Sequence, residues 1–408
     1  MSEQNRNNRR VVVTGLGVIS SIGIGWPEFW KNMMVGKSGI SKITTFDTSG
    51  YDRQYAGEVK NFNPEEFMNK KIIKYIGRTS QMAIAASKLA LSDGNLSQKD
   101  SSNYCTGISI GTTLGESQVI EGIMKRNVDL NKVDVENIRT LSYPTNVISA
   151  NVAYELKLSG DNLIFSNACA ASNYAVSRAF DLIKLGRVDY MLAGGTEALS
   201  RIAFTGFGSL FAMAPLKCQP FDKNRQGMMT GEGAAIVLLE SLESALKRGA
   251  KIYAEILGYG LSCNSNDLTL PSVKGIVKAI QHSLLRSNIK EDEVDYINAH
   301  GTGTLENDEA ECRAIKMVFG KRSSHIPVSS IKSMLGHTMG ASSAFETIAC
   351  CLAIDKGQIP PTINFEQKDP NCDIDCVPNK GRSHEVNVAL NNSQAFGGSN
   401  MCLVFNKI

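Results

Sequence analysis

Nowhere in this 408-residue sequence do about 18 apolar residues run without a break, so no segment is long enough to cross a bilayer as a helix. The polar opening Met1–Arg10 leads only into Val11-Val12-Val13, too short for the apolar part of a secretory signal, and the expected location is the cytoplasm. An excess of one charge is missing as well: 43 Lys and Arg against 40 Asp and Glu leave +3. A nucleic-acid binder concentrates basic residues on one face, so neither nucleic acid nor membrane is an expected partner. No low-complexity linker divides the chain. With 42% hydrophobic residues, it can bury one large core or two ordinary ones.

Ten cysteines raise the question of disulfides, but a long chain without a secretory signal argues for reduced thiols. Cys350 and Cys351 in an apolar stretch, and Cys402 in the strand-like Met401–Phe405, read as small buried hydrophobes. Cys372, Cys376 and His384 lack a convincing fourth ligand, so no metal site is expected.

Strand-like and helix-like segments alternate, which predicts an α/β architecture. Strands are expected at Arg10–Thr14, Thr106–Gly111, Tyr190–Ala193 (ending in a Gly194-Gly195 turn) and Ala234–Glu240. Helices are expected over Ser80–Asp93, Ala171–Leu185 and Ser241–Arg248. A similar order follows: strands at Tyr253–Gly258, Val294–Ala299, Pro327–Ser330, Glu385–Leu390 and Met401–Asn406, with helices over Val273–Ser287, Asp308–Val318 and Ala341–Lys356. Each half carries a Gly-Thr-rich turn, Gly111–Leu114 and Gly301–Leu305. The expected division is 1–252 and 253–408, two similar halves sharing one packed body.

Chemistry concentrates in three places. In Ser166-Asn167-Ala168-Cys169-Ala170-Ala171-Ser172, a strand-like segment enters a run of small residues and a helix leaves it. A cysteine there sits at a helix N-terminus, where backbone N–H groups and the macrodipole stabilise a thiolate. Taken alone it could equally be packing. Of only five histidines, two lie in glycine-rich turns after strands: His300 in Asn298–Thr304 and His337 in Lys332–His337. Either alone could be a loop histidine satisfied by backbone. Together with a poised cysteine they have the composition of a catalytic site. Two other patterns are weaker. Gly107-Ile108-Ser109-Ile110-Gly111 fits the G-x-S-x-G of serine hydrolases but lies inside an apolar strand. Gly15–Ser20 lacks the third glycine of a dinucleotide fingerprint.

With these motifs in order, the chain resembles the elongating β-ketoacyl-acyl carrier protein synthases of the thiolase-like superfamily. The carrying residues are Asn167-Ala168-Cys169-Ala170, Asn298-Ala299-His300-Gly301-Thr302, Lys332-Ser333-Met334-Leu335-Gly336-His337 and Phe396-Gly397-Gly398-Ser399-Asn400, and the likeness begins at Val11–Gly17. The resemblance implies a thiolase-like fold, a duplicated αβαβα body of five layers, working as a homodimer or as a heterodimer with a chain-length-factor-like relative. It implies decarboxylative condensation of a Cys169-bound acyl chain with malonyl-carrier protein. The backbone N–H groups of Cys169 and Phe396 would form the oxyanion hole. His300 and His337 would donate to the enolate as neutral imidazoles, and Lys332 would act electrostatically, paired with Glu346. Thr302 and Thr304 match positions that hold the phosphopantetheine arm, which is the substrate carrier; no cofactor is permanently bound. Leu114 matches a position bordering the acyl pocket. Lys70, Lys71, Lys74 and Arg78 would dock the acidic acyl carrier protein, although such a cluster is by default a solvated face. Without the resemblance, Lys332 would read as a surface lysine.

The sequence departs from the family at Gln394-Ala395, where housekeeping members usually carry a second Phe-Gly pair. A polar residue there points to a chain other than a plain saturated one, as in type II polyketide or polyene assembly, with fatty-acid elongation the alternative. Thiolases pair a second, late cysteine with one histidine, and chain-starting relatives use Asn with His. The intact Cys169, His300, His337 and Lys332 argue against both, and against a non-catalytic chain-length-setting subunit.

Overall fold

The computed structural model describes residues 9–97, 102, 104–129, 142–264 and 267–408. Ten strands form its main sheet: β1 (Val11–Ser20), β2 (Thr106–Gly111), β3 (Asn162–Phe165), β4 (Tyr190–Glu197), β5 (Gly233–Ser241), β6 (Ala254–Cys263), β7 (Tyr296–Asn298), β8 (Val328–Ser329), β9 (Val388–Gln394) and β10 (Ser399–Asn406). A two-residue strand, Gly23–Ile24, folds back on β1. The first five strands are ordered β3-β2-β4-β5-β1 and the last five β8-β7-β9-β10-β6. In each set the second strand, β2 or β7, pairs in parallel with both its neighbours, and the remaining pairings are antiparallel. The sets join where Val11–Val13 of β1 pairs antiparallel with Ala254–Ile256 of β6.

Six of the helices among the described residues form the layers around the sheet: α1 (Arg78–Asp93), α2 (Asn146–Leu156), α3 (Ala171–Lys184), α4 (Val273–Ser287), α5 (Leu305–Phe319) and α6 (Ser342–Lys356). Successive strand residues face opposite sides of a sheet. Met191 and Leu239 from the first set, and Ala389 and Leu403 from the second, meet α3 and α6 in one core. Their neighbours Leu192 and Leu238 pack instead on α1 and α2, and Leu390 and Val404 on α4 and α5. The layers are therefore helix, sheet, central helix pair, sheet, helix. Burial on both faces explains why Ala235–Leu239 is apolar throughout rather than alternating. Among the described residues, no helix is long and apolar enough to cross a membrane.

Three expectations are corrected. β4 runs straight through Gly194-Gly195, where a turn was expected. A Cβ on Gly195 would lie 1.9 Å from Ser172 Oγ, and one on Gly111 2.3 Å from the Ala171 carbonyl carbon. The bare backbone lets the start of α3 settle onto the sheet. β1 likewise continues past Thr14 to Ser20, because a Cβ on Gly17 would meet Ala86 O of α1 at 1.8 Å. The penultimate strand spans Val388–Gln394 instead of Glu385–Leu390, and so includes the polar Asn391-Asn392-Ser393. Asn391 Nδ2 is held by Ser343 O at 2.8 Å and Thr347 Oγ1 at 3.0 Å, which lets a polar residue occupy a buried strand.

Candidate active site

Between β3 and α3 the chain turns through Ala168 in the left-handed region, φ +46°, a conformation that costs a non-glycine residue about 1–2 kcal/mol. The short 3₁₀ turn Ala168–Ala170 then feeds α3 and sets Cys169 at the helix entrance, 8% exposed. Cys169 Sγ and one ring nitrogen each of His300 and His337 all lie within 4.8 Å of one another. The two imidazoles meet edge to face, centroids 5.4 Å apart at 85°.

His300 follows β7. Its backbone N–H donates to Glu311 Oε1 at 2.9 Å and that of Gly301 to Oε2 at 2.8 Å, so a buried carboxylate on α5 fixes the turn. His300 Nδ1 is buried without a hydrogen-bond partner. His337 is held differently: its Nδ1 accepts the Met339 N–H at 3.1 Å and lies 2.8 Å from Ser342 Oγ. A ring nitrogen that accepts from a backbone amide carries no proton, so the neutral ring presents its N–H at Nε2.

Lys332 is not at the surface. It is 2% exposed, donates to the His300 carbonyl oxygen at 2.6 Å and ion-pairs with the equally buried Glu346. Burial, reinforced by this ammonium, holds the pKa of both histidines well below the ordinary value, so both rings are neutral near pH 7. Burial also pushes the Cys169 thiol up to about 12, opposed by Lys332. The sulfur therefore rests as a thiol, and the helix entrance stabilises negative charge only as it develops.

Cys169, His300 and His337 open into a cavity of about 270 Å³. Thr302 and Thr304 stand in its wall with their hydroxyls 2.9 Å apart. Phe396 lies at the tip of the β9–β10 hairpin, 41% exposed, its ring centroid 5.9 Å from that of Phe207. Gly397 and Gly398 follow with φ of +83° and +77°, a tip that glycine adopts without strain. Leu114 is half-buried and is not in this wall.

Leu114 is nevertheless tied to the site through Glu197, which the sequence reading passed over. This buried carboxylate at the end of β4 accepts the N–H groups of Leu114 at 3.0 Å and of Gly340, beyond His337, at 3.1 Å. Burial pushes both Glu197 and Glu311 up to about 7. An acid closing the otherwise apolar run Tyr190–Thr196 was the available signal for Glu197.

Cys169, His300 and His337 are the one grouped His/Cys/Asp/Glu donor set found among the described residues, and the Lys332 ammonium opposes a cation there. Asn298 Oδ1, Asn391 Oδ1 and Glu346 Oε2 are buried without hydrogen-bond partners. Cys372 and Cys376 pack in the α4–α5 core, and His384 Nε2 bonds Asp295 O at 3.0 Å. Ser109 donates to Ala175 O at 2.8 Å inside β2, which leaves it no access to a substrate.

Of the basic cluster, Lys70, Lys71 and Lys74 are exposed, with Lys70 paired to Glu65 at 2.9 Å. Arg78 does not belong with them. Its guanidinium grips the buried Glu232 at 2.7 and 3.0 Å and Val59 O at 2.7 Å, because α1 begins there and turns its first side chain inward.

Residues 8–245 match the description "Beta-ketoacyl synthase, N-terminal domain", and residues 253–366 match "Beta-ketoacyl synthase, C-terminal domain". A 3-oxoacyl-(acyl-carrier-protein) synthase 2 of Synechocystis is 40% identical over 412 residues, covering 99% of each chain. A solved structure described as the ishigamide ketosynthase/chain length factor superposes with TM-score 0.95 at 42% identity, covering 98% of this chain and 99% of that one. Another, a type II PKS acyl-carrier protein in complex with its ketosynthase bound to the hexaketide, gives TM-score 0.89 at 34% identity, with 98% and 99% covered.

Proposed function

The chain belongs to the β-ketoacyl synthase family, and from that premise we propose how its residues divide the work of a decarboxylative condensation. As a condensing acyltransferase it takes its substrates on the phosphopantetheine arm of an acyl carrier protein. Cys169 Sγ attacks the incoming acyl thioester. Its proton passes by way of a ring nitrogen of His300 to the departing pantetheine sulfur. The N–H groups of Cys169 and Phe396 receive the tetrahedral oxyanion. Those of Ala395 and Gly397 on either side are occupied, by Ser399 O and Leu268 O, both at 2.8 Å.

Malonyl-carrier protein then enters, held along Thr302 and Thr304. Loss of carbon dioxide leaves an enolate whose oxygen accepts the His337 Nε2–H and an N–H of His300. Neutral rings suit this step. Cationic rings would hold the departing carboxylate in the ground state and oppose its loss. The enolate carbon attacks the Cys169 thioester, the sulfur leaves, and one proton taken up restores the thiol. The observation that carries the assignment is the convergence of Cys169, His300 and His337 within 4.8 Å, with both rings held neutral by burial and by the buried Lys332 ammonium.

For the pathway, we favour type II polyketide or polyene assembly over housekeeping fatty-acid elongation. Gln394-Ala395 beside the nucleophile supports it, as does likeness to a ketosynthase/chain length factor structure. Association with a second copy or a chain-length-factor-like relative would use β3, the edge strand, whose Leu163–Phe165 are only partly buried. The equivalent strand orders support dividing the chain at residues 252 and 253. The deciding experiment incubates the purified chain with acyl- and malonyl-loaded carriers, alone and with a chain-length-factor subunit. A ketoacyl carrier extended by two carbons is expected. Extension requiring the second subunit favours polyketide assembly; no extension under either condition overturns the reading.

A further inference from the structure

Gln394 closes β9 beside the nucleophile. The preceding Ser393 accepts a hydrogen bond from Asn173 Nδ2 at 3.0 Å, and Asn173 stands one helical turn beyond Cys169. Gln394 points to the other face of the strand, into the wall of the catalytic cavity, and is 5% exposed. Its Nε2 reaches Glu311 Oε1 only at 3.5 Å, the outer limit of a hydrogen bond, and that oxygen already accepts the His300 N–H. Its own Oε1 is buried with no partner. A desolvated amide oxygen without a donor destabilises the empty site, and a donor arriving on the substrate would relieve it.

Only atoms near the sulfur can serve. The acyl chain hangs from Cys169 by its first carbon, and Gln394 shares the cavity wall with Cys169 and with His300, which Glu311 holds. Each condensation leaves an oxygen on the third carbon of the product. We infer that Gln394 is a specificity-determining residue whose Oε1 accepts an O–H on that carbon. The site then favours 3-hydroxyacyl chains, or 3-oxoacyl chains as their enols, over saturated chains of equal length. This deepens the condensing reading above and rests on it.

The test is competitive loading of Cys169 from four six-carbon acyl carriers: 3-hydroxy, 3-oxo, trans-2-enoyl and saturated. Intact-mass spectrometry follows the wild type, Gln394→Leu and the unbranched Gln394→Met. One neutral hydrogen bond corresponds to a preference of about tenfold. The wild type is expected to prefer an oxygenated chain by that factor, with the hydroxy and oxo arms showing which form is read. In both variants the ratio falls to about one, while their melting temperature in the absence of substrate rises because the orphan amide is gone. Adducts formed without preference, a preference for the enoyl or saturated chain, or an unchanged ratio in the variants would each overturn this inference alone. Absence of any Cys169 adduct from a folded wild type would overturn the condensing reading and this one with it.

Discussion

Replacing His337 by alanine tests the division of labour between the two histidines and the thiol. The wild-type ring is locked with Nδ1 accepting the Met339 N–H, so the variant loses one oriented donor, Nε2–H, aimed into the cavity. A donor to a developing oxyanion is worth about 3 kcal/mol, or roughly 10²- to 10³-fold in rate. Decarboxylation of malonyl-carrier protein, read without a primer by the mass of the acetyl-carrier product, should fall by that factor. Loading of Cys169 should persist, since its oxyanion is held by other groups. The variant also leaves the Met339 N–H without its His337 acceptor, at a stability cost of about 1–3 kcal/mol, so a melting curve must accompany the assay. Ser342→Ala is the control: the backbone amide still fixes the tautomer, and decarboxylation should stay within about tenfold of wild type. A folded His337→Ala that decarboxylates normally, or that loses loading and decarboxylation equally, would refute the reasoning.

Lys332→Ala strands a buried Glu346 and should lower stability by about 3–5 kcal/mol, read by thermal or urea unfolding. Because the Lys332 charge helps hold both imidazoles below their ordinary pKa, its loss lets them protonate at higher pH. Decarboxylation in that variant should therefore gain a decline on the acid side that the wild type lacks between pH 6 and 8; identical profiles would count against it. Cys169 is held as a thiol by burial, so its alkylation by iodoacetamide should rise about tenfold per pH unit from 7 to 9, whereas a plateau in that range would reveal a resting thiolate. Changing Lys70, Lys71 and Lys74 to Glu should raise KM for carrier-bound substrates at low salt, with the difference shrinking as salt is added; an unchanged KM removes this patch from docking. Leu114→Ala keeps the N–H that Glu197 accepts and removes only the side chain; it should lengthen products, and an unaltered product profile would count against a place for Leu114 at the acyl pocket.

Much of the fold was legible because both faces of each sheet are covered, which leaves apolar runs such as Ala235–Leu239 conspicuous between turns. Legibility failed where packing contradicts composition. Gly194 and Gly195 read as a turn, yet the bareness of Gly195 serves the close approach of α3 and that of Gly194 the close approach of Ala235 on β5. Asn391 and Ser393 look like loop, yet α3 and α6 supply their hydrogen bonds. In the site, Cys169, His300 and His337 stood out by residue type and by neighbouring glycines. Their protonation did not, because it depends on how deeply they are buried and on Lys332 being buried among them, which glycine-rich turns and a lysine at a strand end do not reveal. Arg78 was misjudged for the same reason: its partner Glu232 lies 154 positions away in sequence.

The central claim is that Cys169 is the acyl-carrying nucleophile, and intact-mass spectrometry of the protein after incubation with acyl-loaded carrier tests it most directly. One acyl adduct on the wild type, mapped to Cys169 and absent from a folded Cys169→Ala, is the predicted result. A wild type that stays at its unmodified mass with every carrier offered, or an adduct that survives in Cys169→Ala, would contradict the account.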